Sequence, residues 1–140
     1  WQRFGRHYYT RYDYEEVDKE AAETLMENLE SRLPGLRGSD LGGMQVTMAD
    51  NFRYTDPVDH STSSRQGIRV LFDNGSRIVF RLSGTGTRGA TLRVYMETYE
   101  SDAERLHLET ADVMQPFVEI ACELAEIEQR TGRSAPTVIT

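Results

Sequence analysis

The chain has 140 residues and a formal net charge of −7, an acidity that excludes a nucleic-acid module working through general basicity. Its length fits one domain, able to bury ~70% of the surface that its unfolded form exposes. No apolar run approaches the ~18 residues of a membrane span, and a single cysteine excludes an internal disulfide framework and fits a reducing, cytoplasmic setting.

The start, Trp1 to His7 (WQRFGRH), has the pattern of neither a signal nor a transit peptide and lacks an initiator methionine, so the chain reads as a piece of something longer. His7 to Tyr12 are aromatic and β-favouring and predict a first strand. Asp13 with Glu16 three residues on is a capping-box variant. It predicts a helix carrying Ala22, Leu25, Met26, Leu29 and Leu33 on one face, stopped by Pro34-Gly35. The acids Glu15, Glu16 and Asp18 suit a helix start without any metal. Residues 35–43 read as a loop and Met44 to Tyr54 as a second strand. Residues 56–67 form a polar turn region, in which His60 has no cysteine or metal-ligand partner at useful spacing and reads as an exposed loop histidine.

Ile68, Val70 and Phe72 alternate with Arg69, Leu71 and Asp73, predicting a third strand. Asn74-Gly75 is a strong hairpin signal, and it turns the chain into a fourth strand, Arg77 to Leu82. A fifth follows from Thr91 to Tyr99. From about Thr110, the residues Val113, Phe117, Ile120, Leu124 and Ile127 form the stripe of a long core-packing helix. Pro116 predicts that its regular part begins there or kinks, and Thr131-Gly132 ends it. Cys122 falls within this pattern and reads as a buried structural thiol. The expected order is β-α-β-β-β-β-α: an antiparallel sheet with two helices on one face, an α+β domain.

Between the fourth and fifth strands lies Arg81-Leu-Ser-Gly-Thr-Gly-Thr-Arg-Gly-Ala-Thr-Leu-Arg93. Gly84, Gly86 and Gly89 let successive N–H groups converge into an anion-favouring nest, and Ser83, Thr85 and Thr87 add neutral donors. Alternation puts Arg81 and Arg93 on the face opposite the apolar residues, where their forks suit phosphate. From Arg65 to Arg93 there are six arginines and one acid, Asp73, a local positive patch suited to a small anion. Composition alone leaves a second reading open, an ordinary glycine-rich hairpin with solubilising arginines. The letters of a dinucleotide fingerprint occur at Gly84, Gly86 and Gly89, but that motif must open a helix, and a strand follows here.

RLSGTGTRGATLRVYMETYE closely resembles the phosphate-binding loop in the last domain of the α-D-phosphoglucomutases, within the phosphohexomutase superfamily. GRHYYTRYDYEEV, ADNFRYTDPVD, QGIRVLF, NGSRIVF and RTGRSAPTVIT resemble the same domain in the same order, covering nearly the whole chain. The resemblance implies a TATA-binding-protein-like fold and residues 1–140 as a single C-terminal, phosphate-binding domain of a longer chain. It implies, for that parent, interconversion of glucose 1-phosphate and glucose 6-phosphate through a phosphoserine, magnesium and glucose 1,6-bisphosphate. By position, Arg81, Ser83, Gly84, Thr85, Thr87 and Arg93 match the binding loop. Arg88 is an additional cation; Arg11 resembles the family's hinge, and a charged residue on a half-exposed strand is the other reading. At His60 the chain departs from the glycine common in relatives.

The nucleophile loop, the aspartate-rich metal loop and the sugar-binding loop of the family are not in these 140 residues. No catalytic or metal-ligating residue is therefore expected here, and the fragment alone should be inactive and bind at most phosphate or sulfate. The expected partners are a phosphosugar and the preceding domains of the same chain, not nucleic acid or membrane. A catalytically silent scaffolding relative and a free-standing anion-binding module are the alternatives.

Overall fold

In the computed structural model, residues 6–41, 43–54, 65–84, 89–100, 110–133 and 135–140 are described. Among these residues, seven antiparallel strands form one sheet: β1 (Arg6–Val17), β2 (Asp40–Leu41), β3 (Met44–Tyr54), β4 (Arg65–Phe72), β5 (Arg77–Gly84), β6 (Ala90–Glu100) and β7 (Val138–Ile139). Their order across the sheet is β2-β3-β4-β5-β6-β1-β7. Helices α1 (Lys19–Leu36), α2 (Thr110–Ala125) and α3 (Ile127–Thr131) complete the fold. This is the α+β architecture expected from the sequence, extended by the two-residue strands β2 and β7.

Alternation divides the sheet into two faces. Ile68, Val70, Ile78, Phe80, Leu92, Val94 and Met96 are buried on one face. They share a core with Leu25, Leu29 and Leu33 of α1 and with Met114, Phe117 and Leu124 of α2, so the helices cover that face. Each such side chain contributes about 1.5–3 kcal/mol through its burial. Of the other parity, Arg69, Arg77, Arg81, Arg93 and Tyr95 are partly buried or exposed, while Val79 and Asp13 are buried. The hairpin at Asn74-Gly75 forms as expected. Gly75 has φ 86°, its N–H donates to Phe72 O at 3.1 Å, and Asn74 Oδ1 accepts from Ser76 N–H at 3.0 Å.

Three local expectations are corrected. Asp13 does not cap the first helix; it lies inside β1, paired with Arg93 of β6 and Val138 of β7. The cap is Asp18, whose Oδ2 accepts from Ala21 N–H at 3.0 Å. Two ladders outweigh one cap hydrogen bond, so the strand continues to Val17. Helix α1 also runs through Pro34 to Leu36. A proline that late removes one bond, while Leu33 and Leu36 remain in the core. Finally, the long C-terminal helix contains Pro116 but breaks further on, at Glu126, whose φ is 53°. Arg32 of α1 donates to Leu124 O at 3.0 Å and to Glu126 Oε1 at 3.1 Å, capping α2 from outside. Gly132, with φ 75°, then ends α3 and donates to Glu128 O.

Candidate anion-binding site

The open face of the sheet is built in rows by the strand register. One row runs Gly67, Arg81, Arg93, Asp13, and the next runs Arg69, Val79, Tyr95, Arg11. A third holds Leu71, Arg77, Glu97 and Tyr9. Each row places one parity from β4, β5, β6 and β1 side by side. A shallow groove of about 200 Å³ crosses it, lined by Tyr9, Arg69, Arg77, Val79, Arg81, Tyr95 and Glu97.

The arginines differ in their partners. Arg69 forms a bidentate pair with Asp50 at 3.0 and 2.8 Å. These hydrogen bonds hold the Asp50 carboxyl below its usual range, against the opposing effect of burial, and raise the Arg69 pKa. Arg77 pairs with Glu97 at 2.9 Å, and His7 Nδ1 reaches the same carboxylate at 3.0 Å. Arg69 and Arg77 are therefore matched by carboxylates on neighbouring strands.

The row nearest the glycine-rich loop is different. Arg81 lies directly opposite Arg93, and like charges so placed repel unless something negative sits between or beside them. Arg81 stacks over the Tyr95 ring at 5.3 Å. Arg93 Nε is 3.9 Å from Asp13 Oδ2, whereas Arg11 Nε is 3.0 Å from Asp13 Oδ1. These are ion pairs rather than hydrogen bonds: Arg11 Nε, Asp13 Oδ1 and Arg93 Nε are buried without a hydrogen-bond partner among the described residues. Asp13, only 5% exposed, is thus shared by two guanidiniums and leaves Arg93 with donors to spare. Ser83 follows Arg81 by two residues and faces Thr91, and the hairpin closes on the pair Gly84 and Ala90.

The sequence-expected residues Arg81, Ser83 and Arg93 therefore stand on one face at the mouth of the loop, with Gly84 in the ladder at its base. Thr85 and Thr87 lie outside the described residues, as do Arg88 and His60. Asp13 was missed as part of this row because its local pattern matched a helix cap. Its odd-numbered parity with Arg11 was the available signal. No group of three or more His, Cys, Asp or Glu side chains that could hold a metal ion occurs among the described residues, so these residues do not fit a magnesium site. No helix is long and apolar enough to cross a membrane, among the described residues.

A sheet with one helix-covered face and one arginine-rich open face defines the class, an α+β domain with a cationic surface beside a glycine-rich hairpin. A family model described as Phosphoglucomutase-1, C-terminal domain, matches residues 6–137, and the chain belongs to that family. It is 53% identical over its whole length to a cytoplasmic phosphoglucomutase of Bromus inermis, covering 25% of that protein. It is likewise 53% identical to a phosphoglucomutase of Rhizobium radiobacter, covering 26% of it. Among solved structures it is similar to the open form of parafusin, an exocytosis-sensitive phosphoprotein and phosphoglucomutase from Paramecium. That likeness has a TM-score of 0.80 and 45% identity over 100% of this chain and 24% of the other. The chain thus spans about a quarter of the length of the curated relatives it matches.

Proposed function

We propose that this chain is the substrate-phosphate clamp of a longer, cytoplasmic phosphoglucomutase that interconverts glucose 1-phosphate and glucose 6-phosphate. The observation that carries the reading is the Arg81–Arg93 pair at the mouth of the glycine-rich hairpin, in a chain of the phosphoglucomutase family. Two guanidinium forks side by side, with the buried Asp13 carboxylate beyond Arg93 and shared there with Arg11, favour a dianion between them. Ser83, Gly84, Thr85 and Thr87 add neutral hydroxyls and backbone N–H groups, which grip without holding permanently.

Such a clamp holds the phosphate that is not being transferred. Binding energy from that non-reacting group positions the reacting one, which is how a remote contact raises kcat as well as affinity. Phosphoserine chemistry through glucose 1,6-bisphosphate requires the sugar bisphosphate to turn round between half-reactions. The clamp must then accept either phosphate and release it, and a moderate grip suits that. Magnesium, when bound by the preceding domains, would supply charge stabilisation at the transferring phosphoryl group. This chain's residues only orient the far end and help exclude water. Without those domains the chain is inactive on glucose 1-phosphate.

The test is a titration of the chain with inorganic phosphate, followed by amide NMR. Weak binding with shifts concentrated in residues 81–93 is expected. Shifts centred on His60 and Arg65 would move the site to the other loop and overturn the assignment.

A further inference from the structure

We propose that Arg133 is a positioning residue for the anion loop, because its guanidinium fixes the β-bulge against which the returning end of that loop is packed. The inference deepens the phosphate-clamp reading and rests on it for its functional half. The β1–β6 ladder slips between Tyr14, paired with Leu92, and Val17, paired with Ala90. A bulge of this kind leaves its own backbone groups without ladder partners. It also places Glu16 at φ 55°, in the left-handed region that a residue with a Cβ enters only when held there.

The C-terminal segment does the holding. Arg133 Nη2 donates to Glu15 O at 3.0 Å and to Glu16 O at 3.2 Å. Glu15 N–H donates to Thr137 Oγ1 at 3.0 Å, and Thr137 N–H donates to Asp13 O at 2.7 Å. Arg133 is itself fixed, since its N–H donates to Thr131 Oγ1 at 3.1 Å, just past the left-handed Gly132 that ends α3.

The next carbonyl along the bulge touches the loop. A Cβ built on Gly89 would lie 2.6 Å from Val17 O, so the entry to β6 fits only against this arrangement of the bulge. Ala90 beside it pairs at once with Val17 and with Gly84 on the other stalk of the hairpin. A bulge that relaxes therefore moves Gly89 and Ala90, and with them the stalk that leads to Thr91 and Arg93. One nitrogen serving two carbonyls also means that an ammonium group can replace it, whereas a donor-free side chain of similar length cannot.

The experiment compares Arg133→Met and Arg133→Lys with the unchanged chain by hydrogen exchange and by inorganic phosphate titration. In Arg133→Met, amide exchange at residues 89–92 is expected to quicken about tenfold, with the β4–β5 hairpin unchanged and phosphate binding weakened severalfold. Arg133→Lys is expected to recover most of both. A uniform rise in exchange across the sheet, or a lysine variant as impaired as the methionine one, overturns the proposal. If exchange responds locally while the unchanged chain binds no phosphate at residues 81–93, the bulge contact stands and the clamp reading falls. Thr137→Val removes only the acceptor for Glu15 N–H and is expected to show the same local signature in smaller measure. It decides the matter should Arg133→Met not fold.

Discussion

Gly89→Ala isolates the contact between the anion loop and the bulge of β1. Gly89 has φ 89°, where an added methyl costs ~1–2 kcal/mol from backbone sterics alone. The methyl would also sit 2.6 Å from Val17 O, a backbone atom that no rotamer change can move. Relieving that collision requires a shift in the bulge, which Arg133 and Thr137 hold by three hydrogen bonds, and overpacking of this kind costs a further ~1–3 kcal/mol. The expected total is about 2–5 kcal/mol. Gly75→Ala is the matched control, with φ 86° and nothing within 4 Å of the new Cβ, so it should cost only ~1–2 kcal/mol. Urea unfolding followed by circular dichroism measures both, with a constant m-value as the check that only stability has changed. In thermal melts the difference corresponds to roughly 3–5 °C per kcal/mol at this chain length. A Gly89→Ala variant no less stable than Gly75→Ala would refute the argument that the bulge and the loop are in rigid contact.

In the full-length protein, Arg93→Ala is expected to lower kcat/KM about ten- to a hundredfold through loss of a charge-assisted contact. Arg77→Ala, whose guanidinium pairs with Glu97, should change kcat/KM by less than about threefold, and equal losses in steady-state assays would count against the clamp. Asp50 concerns acid stability: its folded pKa is depressed by the Arg69 hydrogen bonds. Its contribution is therefore present above the unfolded value of about 3.9 and lost as pH falls through the lower folded one. Because the Arg69 side chain is 38% exposed, the pair is worth under ~1 kcal/mol at neutral pH. Asp50→Asn should flatten the acid limb of the stability profile by that amount, and a profile parallel to the unchanged chain's would show the pair to be inert.

The contrast between what the sequence reveals and what it hides follows the range of each interaction. The strands β3 to β6 were legible because a period of two is written into every pair of residues, and Asn74-Gly75 fixes the turn between β4 and β5 locally. The same parity made Arg81 and Arg93 legible as neighbours on the open face, since they alternate with Phe80, Leu82, Leu92 and Val94, which pack in or against the core. Asp13 was misread because its nearest neighbours satisfy a capping pattern, while its real partners lie on β6 and at the far end of the chain. The break at Glu126 was hidden for a similar reason. The apolar stripe continues through Ile127, but Arg32, 94 residues away in sequence, takes the carboxylate. Arg133 is the extreme case, reaching Glu15 across 118 residues. No local pattern marks an arginine whose partners are two carbonyls of a bulge, because the bulge exists only once β1 and β6 have paired. The residues that would grip the anion are written in the alternation of two strands. Those that hold the loop in place are supplied by the last turn of the chain, so the geometry of the site depends on the closure of β7 and Arg133 over β1.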